Sequence, residues 1–215
     1  MTDYLNLNNA YVIENYNRLP FMSKKQINTF KKYLLKCNSY FEFGSGGSTF
    51  FAIDNNVKLI ESVESDKDWY NNLIKEDSIR NKITNNTIKI NFIDLNSKPN
   101  NWGYPSKNTK DSWHLYYESI LNNSFSPDLI LIDGRFRVEC VLMSILYIVN
   151  NNKYDTIILF DDYFKYSRYH VISTFINLLE RSDKMAVFKI KTNINNNHLE
   201  NLISKYKYIP EEYYQ

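Results

Sequence analysis

The chain has 215 residues, of which 43% are hydrophobic, and its formal net charge is +2. This length and composition fit a single domain with a sizeable core. The small net charge argues against a nucleic-acid partner, which usually requires a concentrated basic face. The longest apolar stretch, residues 138–149, is too short to cross a bilayer, so no membrane partner is expected.

The cysteines and the beginning of the sequence predict a cytoplasmic protein. Cys37 and Cys140 each lie among apolar residues, in no spacing typical of a disulfide framework or a zinc site. Residues 1–9 are polar and lack the layout of a signal peptide. Unpaired cysteines of this kind are typical of a reducing compartment.

Predicted helices and strands alternate along the chain. Residues 1–22 are expected to form an irregular, aromatic-rich arm, and residues 23–215 a single domain. The hydrophobic patterns predict helices over 24–37, 49–54, 66–74, 113–121, 138–149, 169–179 and 198–205. They predict strands over 40–43, 58–63, 87–93, 128–132, 156–160 and 185–190, with a long polar loop at 94–112. Continuous apolar strands in this alternation indicate an α/β fold: a doubly wound, mostly parallel sheet with helices on both faces.

Three of the five glycines fall in one predicted strand-to-helix turn, the segment EFGSGGS at 42–48. Such a turn brings backbone N–H groups and a helix N-terminus close to a ligand, with no Cβ atoms in the way. Glu64 ends the next predicted strand, where an acid can accept hydrogen bonds from both ribose hydroxyls of a nucleoside. The glycines alone are also compatible with a plain tight turn. Strand, loop, helix, strand and acid in this order predict a nucleoside-type cofactor.

The pattern Glu42-x-Gly44-x-Gly46-x-Ser48 and the segment SVESD at 62–66 resemble the first two motifs of class I S-adenosylmethionine-dependent methyltransferases. The resemblance covers roughly residues 40–190 and implies a Rossmann-like fold with S-adenosylmethionine (SAM) as cofactor. It implies that Glu42 orients the cofactor amino group, that Glu64 binds the ribose and that Asp94 contacts the adenine. The implied cofactor residues are Glu42, Gly44, Ser45, Gly46, Ser48, Glu64, Asp94 and Asp133. Segments 127–137 and 157–163 further resemble small methyltransferase-like proteins that combine IDGRFR with FDDYF.

Acidic residues follow the fourth and fifth predicted strands. Asp133, Asp161 and Asp162 are expected at the same edge of a parallel sheet, where they could hold a hard divalent cation such as Mg²⁺. Their layout is similar to that of catechol and macrocin-type O-methyltransferases. The sequence departs from both groups at the base, because Arg135 and Phe136 stand where those groups have an acid and a lysine.

His170 is the predicted substitute for the missing base. It follows the Asp-Asp-Tyr segment, and an unperturbed histidine pKa suits proton abstraction near neutral pH. The alternative is a histidine held by its own helix start. Without a metal, Asp133 or Asp162 could itself be the base.

The remaining candidates concern the substrate. Arg135 and Arg137 could bind an anionic group through forked hydrogen bonds, and the alternative is structural pairing with Asp161 or Glu139. Trp102 and Tyr104, in the long polar loop, could stack on a sugar or an aromatic ring. The alternative for these two is a loop anchored by its own aromatic residues.

These observations predict a SAM-dependent O-methyltransferase that acts on a small molecule, such as a sugar or a sugar nucleotide. The expected partners are a small-molecule substrate, anionic or glycan-related, and the sequence is also compatible with a homo-oligomer. Methylation of nitrogen or of a protein is a second enzymatic hypothesis. The non-enzymatic alternative is an inactive binding or assembly module that has kept the fold.

Overall fold

The computed structural model of the protein describes residues 18–98 and 103–209. Most of the arm predicted at 1–22, and the predicted substrate residue Trp102, therefore lie outside the described residues. The helices are α1 (Lys24–Leu34), α2 (Gly47–Asp54), α3 (Lys67–Leu73), α4 (Asp77–Thr84), α5 (Trp113–Tyr117), α6 (Arg137–Asn151) and α7 (Asn196–Tyr206). The strands are β1 (Ser39–Phe43), β2 (Leu59–Glu64), β3 (Ile88–Phe92), β4 (Leu129–Ile132), β5 (Ile157–Phe160), β6 (Ile176–Ser182) and β7 (Met185–Ile190). Short 3-10 helices cover Lys107–Ser112, Glu118–Asn122 and Ser167–Ile172.

The strands form one seven-stranded sheet in the order β3-β2-β1-β4-β5-β7-β6. Strands β1 to β5 pair in parallel, whereas β7 is antiparallel to both β5 and β6. Alternate residues of each central strand enter one of two buried clusters. One cluster holds the apolar residues of α1 to α4, and the other holds those of α5 to α7. The predicted α/β fold, with a mostly parallel sheet and helices on both faces, is confirmed.

The helix predicted over 169–179 is wrong. Residues Ser167–Ile172 form a 3-10 helix, and Ile176–Ser182 form the edge strand β6. Tyr169, Ile172 and Ile176 are buried, and their spacing of three and four residues imitates a helix in the sequence. Pairing with β7 decides the outcome, since Ile176 lies opposite Ile190 and Ser182 opposite Met185.

Helix α4 was not predicted, because Ile79 is its single buried residue and leaves almost no periodic signal. Within the described residues, none of the helices is both long enough and apolar enough to span a membrane.

The sheet reverses its winding between β1 and β4, and the carboxyl ends of these two strands come unusually close. Ligands of open α/β sheets bind at such a reversal. Gly44 has a φ of +95°, and a Cβ atom on it would lie 2.9 Å from the Cα atom of Gly134. A Cβ atom on Gly134 would lie 2.0 Å from the hydroxyl of Tyr116 and 2.8 Å from the amide nitrogen of Gly44. The turns after β1 and β4 therefore pack directly against each other at these two glycines.

We predict that Gly134→Ala lowers the free energy of unfolding by about 1–3 kcal/mol, the usual cost of overpacking. Urea unfolding measures the loss. In a Tyr116→Phe background, Gly134→Ala should cost less stability than in the wild type, because the clash with the Tyr116 hydroxyl is gone. It should still cost some stability, because the clash with the Gly44 nitrogen remains. A Gly134→Ala variant as stable as the wild type would contradict the close approach of β1 and β4.

Candidate functional site

The carboxylate of Glu42, at the end of β1, is fully buried and bound by hydroxyl groups. It accepts hydrogen bonds from the hydroxyls of Tyr40 at 2.7 Å and Ser48 at 2.5 Å, and from that of Thr49. Burial raises the pKa of Glu42, against the effect of these hydroxyl donors. Glu42 thus ties the strand to the first turn of α2, and its predicted role toward a cofactor amino group stays a prediction.

Glu64, at the end of β2, lies beside the glycine loop and binds three backbone N–H groups. Its Oε2 accepts from Ser45 at 3.1 Å, and its Oε1 accepts from Ser65 at 2.7 Å and from Asp66 at 2.8 Å. The residue is 7% exposed. Burial raises the pKa of Glu64 to about 7, against the three N–H donors that favour the charged form. The structure therefore brings the predicted ribose acid and the glycine loop together.

Trp69 of α3 also contacts the loop, and the sequence analysis did not single it out. Its indole Nε1 donates a hydrogen bond to the carbonyl oxygen of Ser45 at 2.7 Å. The indole edge lies 3.5 Å from the position that a Cβ atom on Gly46 would take. Only its position at the start of a helix after SVESD could have suggested this role, which is a weak signal.

The third loop glycine makes room for the protein itself. A Cβ atom on Gly47 would lie 2.1 Å from the carbonyl oxygen of Leu19 and 2.7 Å from the nitrogen of Pro20. The segment that leads into α1 therefore passes directly against the start of α2. Gly44 packs against Gly134, Gly46 against Trp69, and Gly47 against the segment before α1. Contacts within the protein therefore also account for the three glycines of this turn.

The long loop after β3 contacts the residue that follows β2 and the turn that follows β4. The carbonyl oxygen of Gly103 accepts a hydrogen bond from the hydroxyl of Ser65 at 3.1 Å. The guanidinium carbon of Arg135 lies 4.3 Å from the centre of the Tyr104 ring. Asp94 is exposed, and its carboxylate accepts a hydrogen bond from the Asn96 backbone at 2.7 Å. The loop thus connects the end of β2 with the turn after β4.

Arg137 binds the ends of β4 and β5 to each other. Its guanidinium donates to the carbonyl oxygens of Gly134 and Asp133 at 3.1 Å and of Asp161 at 3.0 Å. It also pairs with the carboxylates of Asp133 at 2.9 Å and Asp162 at 3.1 Å. The guanidinium of Arg137 is thus engaged in structural pairing, closest to Asp133 and Asp162 and 4.0 Å from Asp161, one of the two partners predicted. Its predicted forked contact with a substrate stays a prediction.

Lys184, in the turn between β6 and β7, provides a second cation. Its Nζ lies 2.8 Å from Asp162 Oδ1 and 3.2 Å from Asp161 Oδ2. Gln26 of α1 donates to the other oxygen of Asp161 at 2.5 Å. Lys184 and Gln26 were missed by the sequence analysis, because both lie far from the carboxylates in the chain.

The predicted metal site at Asp133, Asp161 and Asp162 is not formed. Within the described residues, no group of three His, Cys, Asp or Glu side chains is arranged to hold a metal ion. The physical reason is that Arg137 and Lys184 already balance these carboxylates. The residues present do not fit Mg²⁺.

The pKa values of Asp162 and Asp133 are shifted in opposite directions. Burial would raise the pKa of Asp162, but Lys184 and Arg137 outweigh it and hold the pKa below its usual value. Burial raises the pKa of Asp133, and Asp161 and Asp162 add to the effect against Arg137. The side chain of Asp133 remains 26% exposed. Asp133 is therefore the carboxyl group of this set best suited to exchange a proton with a ligand.

His170 lies in a different environment. It is exposed, and its Nε2 is 3.1 Å from the carbonyl oxygen of Tyr163. It borders an open concavity of about 420 Å³, whose other lining residues are Tyr163, Phe164, Ser173, Ile176 and Leu178. None of these is a predicted cofactor residue or a member of the carboxylate set. The structure therefore does not bring the predicted base together with the glycine loop.

Comparison with known proteins supports the fold. No family model matches the sequence, and no curated protein matches it either. A solved methyltransferase-like protein from Silicibacter pomeroyi DSS-3 superposes with a TM-score of 0.69 at 23% identity, covering 89% of this chain and 98% of that one. An O-methyltransferase from Bacillus cereus, solved in complex with SAH, gives a TM-score of 0.50 at 13% identity, covering 88% of this chain and 94% of that one. The resemblance to class I methyltransferases is thus confirmed at the level of the fold.

We predict that Arg137→Met lowers the free energy of unfolding at pH 7 by about 3–5 kcal/mol, because Asp133 loses its paired cation and Asp162 keeps Lys184 alone. The deficit should shrink as the pH falls toward 5, because the freed carboxylates then take up protons in the folded variant. Urea unfolding at several pH values measures both effects.

Arg135→Met is the matched control. Arg135 is half-buried and stacks on Tyr104, so its loss should cost only about 0.5–1 kcal/mol. Equal losses for the two variants would show that Arg137 does not hold β4 and β5 together.

Proposed function

We propose that the protein is a SAM-dependent methyltransferase that methylates an oxygen atom of a small molecule, such as a sugar or a sugar nucleotide. The observation that carries the proposal is the Glu64 carboxylate beside the Ser45 amide, at the reversal point of the sheet. The B. cereus neighbour, an O-methyltransferase crystallised with SAH, agrees with this cofactor and reaction.

The chain's own residues would act mainly by positioning. Glu64 would accept the ribose hydroxyls, and the glycine loop would present backbone N–H groups to the rest of the cofactor. Bound SAM supplies the methyl group. Rate would come from holding the acceptor oxygen in line with the methyl group and the sulfur.

An oxygen acceptor must also lose a proton, and Asp133 is the best placed group to take it. It is partly exposed, it follows β4 next to Gly134, and Arg137 fixes its carboxylate. A raised pKa brings a carboxylate closer to the basicity that suits proton transfer near neutral pH. We therefore assign the base to Asp133 in preference to His170 or Asp162.

Arg135 and Tyr104 would select the acceptor. They lie against each other at the rim where the long loop meets the turn after β4. A guanidinium on an aromatic ring offers a cation to a phosphate or carboxylate and an apolar surface to a sugar or aromatic ring. An anionic small molecule is the substrate class that this pair favours. Within the described residues, neither Cys37 nor Cys140 is in a disulfide, which agrees with a cytoplasmic location.

An inactive binding module remains the competing proposal, since Arg135 and Phe136 replace both family bases. The two proposals differ in what they require. The enzyme needs SAM, an acceptor and Asp133, whereas the module needs none of the three.

We predict that the wild type binds SAH (S-adenosylhomocysteine) in calorimetry and that Glu64→Ala weakens binding at least tenfold, because the ribose loses its acceptor. Asp133→Asn should keep SAH binding but lose methyl transfer from SAM to phosphorylated sugars at least a hundredfold, in line with the loss of a general base. Absence of SAH and SAM binding in the wild type would overturn the enzyme proposal and favour the module. Unchanged turnover of Asp133→Asn would remove only the base assignment.

The pKa of Glu64 predicts how SAH affinity changes with pH. Below about pH 7 the folded protein holds a proton on Glu64, and accepting both ribose hydroxyls requires its release. The Kd should therefore fall by up to about tenfold per pH unit as the pH rises toward 7, and level off above it. Calorimetry between pH 5.5 and 8.5 tests this. Glu64→Gln, which cannot ionise, should bind more weakly with a flat profile; a similar slope in that variant would assign the proton to another group.

A further inference from the structure

The Ser45 peptide is held from both of its polar ends. Its N–H donates to Glu64 Oε2 at 3.1 Å, and its carbonyl oxygen accepts from Trp69 Nε1 at 2.7 Å. The side chain is held as well, since the Ser45 and Ser62 hydroxyl oxygens are 2.5 Å apart. Ser45 is buried, so water has little access to replace any of these partners.

Trp69 is itself fixed by the residues that bind Glu64. Its backbone N–H donates to Asp66 Oδ1 at 3.0 Å, which caps α3. The Asp66 backbone N–H in turn donates to Glu64 Oε1 at 2.8 Å. Glu64, Asp66, Trp69 and Ser45 therefore form a closed ring of hydrogen bonds, in which the indole N–H is the single link that comes from a helix side chain.

Packing alone does not account for a tryptophan at this position. The residue is half-buried, and the indole edge meets the Gly46 backbone at ordinary van der Waals distance. A phenyl ring could fill much of this space, but it has no N–H to offer the Ser45 carbonyl. The hydrogen bond is what distinguishes tryptophan here from other aromatic residues.

We propose that Trp69 is a positioning residue of the cofactor loop, whose indole N–H fixes the Ser45 peptide so that its N–H stays directed at the ribose acid Glu64. This inference rests on the proposed function. Without the indole N–H the Ser45 carbonyl loses its partner and the peptide can rotate. The Ser45 N–H would then leave Glu64, and the carboxylate would be held less firmly in its charged form.

The test compares two variants that each lose one indole N–H and keep an aromatic ring. Trp69→Phe removes the donor to Ser45. Trp113→Phe is the control, because Trp113 Nε1 donates to Thr109 Oγ1 at 3.2 Å and Ser106 O at 3.3 Å, away from the glycine loop. The probes are SAH, titrated by calorimetry, and the carboxyl carbon of Glu64, titrated by NMR in protein without added cofactor.

In Trp69→Phe we expect the Kd for SAH to rise about tenfold and the titration midpoint of Glu64 to move to higher pH. Both should stay at wild-type values in Trp113→Phe. A role in packing alone would change the melting temperature without moving the Glu64 midpoint. An unchanged midpoint and Kd in a folded Trp69→Phe variant overturn the inference and leave the proposed function intact.

Two further outcomes are decisive. If Trp69→Phe fails to fold, 3-benzothienylalanine at position 69 keeps the shape of the indole and replaces its N–H by sulfur, and the same two shifts are expected. If the wild type does not bind SAH, the proposed function fails, and the cofactor role of Trp69 fails with it even where the Glu64 midpoint moves.

Discussion

The candidate site depends on one buried carboxylate whose charge is compensated by backbone N–H groups. Among residues 18–98 and 103–209, no cation is in hydrogen-bonding contact with Glu64, which binds the amides of Ser45, Ser65 and Asp66. A charge withdrawn from water is tolerated only where such donors converge on it. The same three bonds fix the glycine loop to the end of β2 and set the start of α3. Local fold and ligand chemistry therefore depend on the same atoms.

At the ends of β4 and β5, side-chain cations rather than backbone N–H groups compensate the charge of the carboxylates. Arg137 and Lys184 pair with the carboxylates that follow β4 and β5, and Arg137 also binds three carbonyl oxygens there. Phe136 and Asp162 have left-handed backbones, with φ of 52° and 60°, at these same turns. Aspartate adopts this conformation readily, but a bulky residue such as Phe136 holds it only where its surroundings over-determine it. The guanidinium and the aromatic residues packed around Phe136 provide that restraint.

Sequence reasoning succeeded where the signal was local. The apolar runs of β4 and β5, the glycine turn and the acid that ends β2 are each readable from a short stretch of sequence. It failed where a distant partner decides the outcome. Lys184, which pairs with Asp162, comes after β6 in the chain, and part of β6 was predicted as a helix. Trp69 of α3 donates to Ser45, which lies before α2. The metal prediction failed for the same reason, because three clustered acids indicate a positively charged partner without revealing whether it is a metal ion or an arginine side chain.

Backbone N–H groups compensate the charge of Glu64, whereas Arg137 compensates that of Asp133. In the proposed function, this difference gives the two carboxylates different roles. The three backbone N–H donors of Glu64 are themselves held in place, so in the proposed function Glu64 can lose its proton and accept ribose hydroxyls while these donors stay directed at it. Asp133 shares Arg137 with Asp162, whose pKa is held low, so the guanidinium is only partly available to it. Burial raises the pKa of Asp133 and Arg137 offsets this only in part, so Asp133 keeps affinity for a proton next to Gly134. The proposed enzyme, which must remove a proton from its acceptor, would use this unequal division of one cation directly, whereas the competing module does not require it.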